Sequence, residues 1–373
     1  MSEDKCSRRD FLKATLTGSS ALAAPTIINY LGQSSPSSDK EFLEIRDGNF
    51  YMGGEEYVIK GANYITRDHP WRMFDEYDPE QIDKELEMAS QLGINTVRAP
   101  IRLIRAIGHV EPYSEPIEHN EPEEDFFDNF EDFLGLADRH NIKVMPIAIG
   151  MEYHEYYNPK RHHLSEEYLE KWLPEFKDDE RILAWDVKNE PDIKEEELRE
   201  AGTADRQKVV EYTNKMAEKI QSLDPNHPVT IGLSDTHGES PAIENLINEL
   251  PKYIDHEDFY SFHCYKPAKY LDSILKKIKR QTAKPVVLQE FGWPSQGKDT
   301  NGGVYQRKRY QRTLEFVQRK GINGAMFWEF NDHPNEAIED SEPEWLYHMG
   351  VFRTDYSKKP AAHVVEQYYN WIF

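Results

Sequence analysis

From residue 58 onward, short apolar runs and longer amphipathic stretches take turns along the chain. Runs rich in β-branched and aromatic residues fall at 58–64 (VIKGANY), 96–101 (TVRAPI), 143–149 (KVMPIAI) and 182–189 (ILAWDVKN). Four more follow at 229–234 (VTIGLS), 259–265 (FYSFHCY), 285–291 (PVVLQEF) and 324–331 (GAMFWEFN). Their length and composition predict strands. Between them the apolar residues take helical spacing: Ile82, Leu86 and Ala89 recur at i, i+4 and i+7, and Met216, Ile220 and Leu223 do much the same. Asp78 followed by Pro79 predicts the start of one such helix, with the carboxylate as cap and the proline in the first turn. Ahead of the alternation, FLEIRDGNFYMGGEEYVIKG (42–61) places two apolar runs around Asp47-Gly48 and Gly53-Gly54, which predicts a hairpin.

Strands that alternate with helices pair in parallel. Eight such units predict a closed (β/α)₈ TIM barrel preceded by a short N-terminal β-hairpin, with a doubly wound sheet as the other arrangement of eight strands. In a barrel the chemistry sits at the C-terminal ends of the strands. Several of these runs end in polar groups: Arg98 on the second, Asn189 and Glu190 on the fourth, His263 and Tyr265 on the sixth, Glu290 on the seventh, and Trp328, Glu329 and Asn331 on the eighth. Turns account for polar residues after a strand. They account less well for Glu290 inside VVLQEFGW, where a buried carboxylate must be paired, hydrogen-bonded or protonated.

The motifs WDVKNEP, LQEFGW, FHCY, VRAP and FWEF resemble the strand-end motifs of glycoside hydrolase family 5, within the larger clan of retaining (β/α)₈ glycosidases. The resemblance runs over about residues 42–372. It implies that Glu190 is the acid/base and Glu290 the nucleophile, with Arg98, Asn189, His263, Tyr265, Trp293 and Trp328 around the bound sugar. The residue types suit that reaction. Cleaving a glycosidic bond needs a proton for the leaving oxygen and stabilisation of a positive anomeric carbon, which two carboxyl groups about 5–5.5 Å apart supply with retention. One must arrive protonated and the other charged, and Arg98 and Tyr265, by resemblance, hold Glu290 charged. Asn189 is suited to the sugar 2-hydroxyl, His263 to the acid/base, and Trp328 to the sugar's apolar face.

The chain departs from the family pattern at the third strand, where no histidine appears until His154. HEYYN (154–158) lacks the second histidine of the H-E-x-x-H zinc signature, so no metal is expected. With no glycine-rich phosphate loop at a strand-to-helix turn, no cofactor is expected either. Aromatic residues in the predicted loops, Trp71, Tyr153, Tyr156, Tyr157 and Trp345, together with His162-His163, suit stacking on pyranose rings. The substrate expected is a β-linked polysaccharide or oligosaccharide, β-mannan before β-glucan. Exo-action, transglycosylation and a carbohydrate-binding barrel without turnover remain as alternatives.

Composition adds where the protein works. The 373 residues carry a formal charge of −23 spread over the whole chain, which disfavours nucleic acid and anionic membranes as partners. A dispersed acidic surface also suits solubility in high salt. SRRDFLK (7–13), a short weakly apolar run and ALAA (21–24) resemble a twin-arginine export signal, so residues 1–23 are expected to be removed and the protein secreted, with 24–41 a linker and 42–373 the catalytic domain. The apolar run is too short to span a membrane. Of the two cysteines, Cys6 leaves with the signal and Cys264 remains alone, so no intrachain disulfide is expected in a monomer.

Overall fold

A computed structural model describes residues 41–101, 124–149, 158–191, 206–234, 256–296, 303–337 and 344–371. The predicted signal and most of the linker, His154 and its neighbouring tyrosines lie outside these residues.

Three short strands come first, β1 (Glu44–Arg46), β2 (Asn49–Met52) and β3 (Glu55–Glu56), paired antiparallel in that order. Asp47 and Gly48 both have positive φ, 51° and 76°, as a two-residue primed turn requires. Eight parallel strands then close into a barrel: β4 (Ile59–Asn63), β5 (Thr96–Pro100), β6 (Lys143–Ile149), β7 (Trp185–Asn189), β8 (Val229–Ser234), β9 (Tyr260–His263), β10 (Val286–Glu290) and β11 (Gly324–Phe327). The described helices are α1 (Pro79–Gln91), α2 (Glu124–Arg139), α3 (His162–Phe176), α4 (Arg206–Leu223), α5 (Ala268–Lys279), α6 (Val304–Lys320) and α7 (Pro360–Trp371). The (β/α)₈ barrel with an N-terminal hairpin sheet is thus present; the connection from β8 to β9 includes residues outside those described.

The helical spacing translates into burial. Ile82, Leu86 and Ala89 on α1 are fully buried, and Asp78 caps that helix by accepting from the amides of Glu80 and Gln81, each at 3.1 Å. The main core lies between strands and helices. A second cluster fills the N-terminal end of the barrel, where Leu43 and Phe50 of the hairpin region pack with Met145, Phe259, Val287 and Met326. The hairpin therefore plugs the end of the barrel opposite the strand C-termini.

Several predicted strands are longer than those observed, among them the fourth and the eighth. The fourth begins at Trp185, because the Ile182 amide turns back to Asp179 O at 3.0 Å and touches the sheet only as an isolated bridge to Val144. The eighth stops at Phe327; Trp328 N donates to Phe291 O, and the chain then leaves the barrel to bridge Asn331 with Phe352.

Candidate active site

The polar strand ends converge. Arg98, on β5, is 1% exposed and its guanidinium is spent entirely on barrel side chains. Its Nε donates to Asp186 Oδ2 at 2.7 Å, Nη1 to Asn63 Oδ1 at 2.8 Å and Glu290 Oε1 at 2.5 Å, and Nη2 to Asn189 Oδ1 at 2.7 Å. Burial disfavours the cation, but the charges of Asp186 and Glu290 outweigh that and hold Arg98 more firmly protonated than usual. The other Glu290 oxygen accepts from Tyr265 Oη at 2.6 Å. Burial, reinforced by the nearby charges of Glu290 and Glu190, pushes the Tyr265 phenol well above its ordinary range, so it stays a donor.

Glu190 follows the last residue of β7 in a left-handed conformation, φ 41°, which is uncommon for a residue with a side chain and marks local strain. Its amide is held by Gly232 O at 2.8 Å. The register of β7 on β8 shifts between Asp186 and Asn189, and that of β10 on β9 between Leu288 and Glu290. Such irregularities re-aim side chains next to sites. Here they fall on the two strands that carry the acidic pair.

His263 bridges that pair. Its Nδ1 lies 2.9 Å from Glu190 Oε1 and 3.4 Å from Glu290 Oε2, while Nε2 faces Gln289 Oε1 at 3.1 Å. Burial lowers the basicity of the ring, but Glu290 and Glu190 outweigh it, and its pKa lies above the ordinary histidine value. One ligand atom from each of Glu190, His263 and Glu290 lies within 4.8 Å of the other two. The Arg98 guanidinium against Glu290 already provides positive charge there, which disfavours a further cation.

Glycine is required behind this cluster. A Cβ on Gly232 would come within 2.6 Å of Gln289 Oε1, 2.9 Å of His263 Nε2 and 3.0 Å of Arg98 Nη2. Its amide donates to Asp186 Oδ1 at 3.1 Å, so β8 passes close to the site while anchoring Asp186.

Of the aromatic candidates, Trp328 stacks on Trp71 with centroids 5.7 Å apart and planes at 22°, and both pack in a cluster with Tyr265, Ile65, Met349 and Leu346. This apolar wall adjoins the Tyr265–Glu290 contact. Trp293 is not brought to it. It is buried against Phe291 and, on α6, Tyr310, with the Arg309 guanidinium over its ring at 5.6 Å. His162 is likewise buried, its ring 5.2 Å from that of Tyr212. Asn63, Asp186 and Gln289 are the site members that motif reading passed over. For Asp186 the available signal was a charge within the otherwise apolar ILAWDVKN run, on the opposite strand face from Trp185 and Val187.

A family model for cellulase (glycosyl hydrolase family 5) matches residues 59–334. Mannan endo-1,4-beta-mannosidase 3 of Solanum lycopersicum is 24% identical over 192 residues, covering 44% of this chain and 46% of that protein. The chain thus spans less than half the length of that relative. Mannan endo-1,4-beta-mannosidase 7 of Arabidopsis thaliana is 22% identical over 310 residues, covering 67% and 68%. Among solved structures, the exo-beta-1,4-mannosidase Op5Man5 of Opitutaceae bacterium strain TAV5 superposes with a TM-score of 0.68 at 17% identity, over 87% of this chain and 61% of that one. The endo-1,4-beta-mannanase of Rhizomucor miehei gives 0.63 at 17% identity, over 87% and 97%. At such identities the superpositions bear on the fold alone. The family match, which spans every strand of the barrel and every residue of the cluster around Arg98, places this chain in glycosyl hydrolase family 5.

Proposed function

We propose that the protein hydrolyses β-linked polysaccharide or oligosaccharide with retention, β-mannan before β-glucan, with Glu290 as nucleophile and Glu190 as acid/base. The observation that carries this reading is the paired setting of the two carboxyl groups. Glu290 accepts from Arg98 and Tyr265, a setting suited to a charged nucleophile. Glu190 meets the His263 ring, and its oxygen lies within 4.8 Å of a Glu290 oxygen. Oxygens this near each other are in keeping with the closer pairing of carboxyl groups that retention uses.

In this reading Glu290 attacks the anomeric carbon while Glu190 protonates the departing oxygen, giving a glycosyl ester on Glu290. Glu190, now charged, removes a proton from water as the water attacks that ester, and both groups return to their starting states. The Glu190–His263 contact needs one proton between the two groups. With His263 Nε2–H donated to Gln289 Oε1, the shared proton lies between Nδ1 and Glu190 Oε1, so the pair keeps a proton within reach of Glu190 for the leaving oxygen. Asn189, held by Arg98, is oriented for the sugar 2-hydroxyl, and Trp328 for its apolar face.

The mannan preference draws support from the plant relatives, both of them mannan endo-1,4-beta-mannosidases by name. Incubation with β-mannan, cellulose and laminarin oligosaccharides, followed by product mass and anomeric configuration, tests the whole reading. Retained products from the mannan series are expected; inverted products would overturn the two-step mechanism. Export through the twin-arginine route belongs to the same reading. It predicts that the mature protein in the medium begins at Ala24, which N-terminal sequencing reads directly.

A further inference from the structure

A groove of about 360 Å³ opens between the first turn of α6 and the start of α7, sharing no lining residue with the Glu190–Glu290 site. Its walls carry Arg307, Arg353, Lys358 and His363, in a chain whose net charge is −23. Among the described residues one carboxylate forms ion pairs with them: Glu366 Oε2 pairs with Lys358 Nζ at 2.9 Å and lies 3.7 Å from His363 Nδ1. Arg353 is steered by neutral acceptors, its Nη1 donating to Lys358 O at 2.9 Å and Ser357 Oγ at 3.2 Å. Arg307 makes no ion pair with any described residue. Among the described residues neither arginine makes an ion pair, although the Asp355 carboxylate acts on Arg353 at longer range, so an anion seated in this basic groove supplies a counter-charge that the lining lacks.

Size and lining narrow the ligand. The volume is that of a small organic molecule, well beyond a bare tetrahedral anion. Pro360 and Val364 give the groove an apolar surface, and Gln367 adds a neutral donor and acceptor. We propose that this groove binds an acidic sugar of the hexuronate class. Its carboxylate lies on Arg307 and Arg353, its C–H face on Pro360 and Val364, and its hydroxyls reach Gln367. An acidic branch of a polysaccharide is thereby held outside the catalytic cleft; only this last step rests on the proposed hydrolase function.

The test is calorimetric titration of D-glucuronate, D-glucose and inorganic sulfate into the full-length protein and its Arg307→Gln/Arg353→Gln variant, at constant ionic strength. Saturable one-site binding of glucuronate is expected, about tenfold or more weaker in the variant, with no binding of glucose. Turnover of neutral oligosaccharides should be the same in both proteins, since neither arginine touches the acidic pair. Glucuronate should also bind unchanged to Glu290→Ala, so loss of the hydrolase reading would leave this result standing. Absence of saturable binding, equal binding by the folded double variant, or sulfate binding as tight as glucuronate would each overturn the proposal.

Discussion

Arg98 Nη1 lies 2.5 Å from Glu290 Oε1, reaching from β5 to β10 through the inside of the barrel. Because the same guanidinium also holds Asp186, Asn63 and Asn189, one cation fixes four side chains from three other strands. Arg98→Met takes the guanidinium counter-charge from buried Asp186 and Glu290, at a cost of about 3–5 kcal/mol. Urea unfolding measures that loss. Arg98→Lys retains the charge but replaces a fork by a point, so the fold is expected to survive while kcat falls about a hundredfold.

The two carboxyl groups are expected to fail differently. Glu190→Gln removes the acid, at a cost of about 10²–10⁴-fold in rate where the leaving oxygen needs a proton. A glycoside with a good leaving group, such as a dinitrophenolate, needs none. It should still glycosylate Glu290, and with no base to activate water the adduct should accumulate and appear in the mass spectrum. Glu290→Gln has no nucleophile and should give no adduct with either substrate. An adduct in Glu290→Gln, or glycosylation slowed equally on both substrates in Glu190→Gln, would reverse or remove the assignment.

The fold was legible because barrel strands and helices each leave a periodic mark, and the strand ends stood out because charge follows apolar residues there. Glu190, Glu290, Arg98, His263 and Tyr265 all meet in space, as their positions at strand ends imply. Trp293 shows how little position alone says about packing. It follows Glu290 by three residues, but after Gly292 the chain turns its ring toward Tyr310 on α6. Asn63 and Gln289 look like ordinary strand amides in sequence; their role emerges only when Arg98 and His263 arrive beside them from other strands. The ends of the fourth and eighth runs were overread for a related reason. Apolar residues lie outside the ladder in both, ahead of Trp185 in one and after Phe327 in the other, and hydropathy does not report which amides pair.

Gly232 tests how tightly the cluster is packed. The methyl of Gly232→Ala would meet Gln289 Oε1 and His263 Nε2 at distances that side chains do not tolerate, and Arg98 behind them is held from four sides. The expected response is a shift of Gln289 and His263. Loss of stability should be about 1–3 kcal/mol, as in other overpacked interiors. Since His263 touches Glu190, the limb of the pH–rate profile that reports Glu190 should also move. A variant that loses stability but keeps the wild-type profile would show that His263 has not been displaced.

Glu257, just ahead of β9 at the barrel's plugged end, makes the folded protein sensitive to alkali. It is 3% exposed, one of its oxygens has no hydrogen-bond partner, and burial raises its pKa from 4.5 to about 8, with Lys284 opposing and Asp258 adding to the shift. The folded chain thus keeps a proton that the unfolded chain gives up above pH 4.5. This contribution to stability is complete below that value and is lost as pH rises toward about 8, at up to about 1.4 kcal/mol per pH unit. Glu257→Gln has no such proton to lose. Urea unfolding of both proteins at about pH 5 and about pH 8 should show the variant gaining on the wild type by a few kcal/mol across the interval. Parallel stability curves would mean that Glu257 ionises in the folded protein as freely as in the unfolded chain.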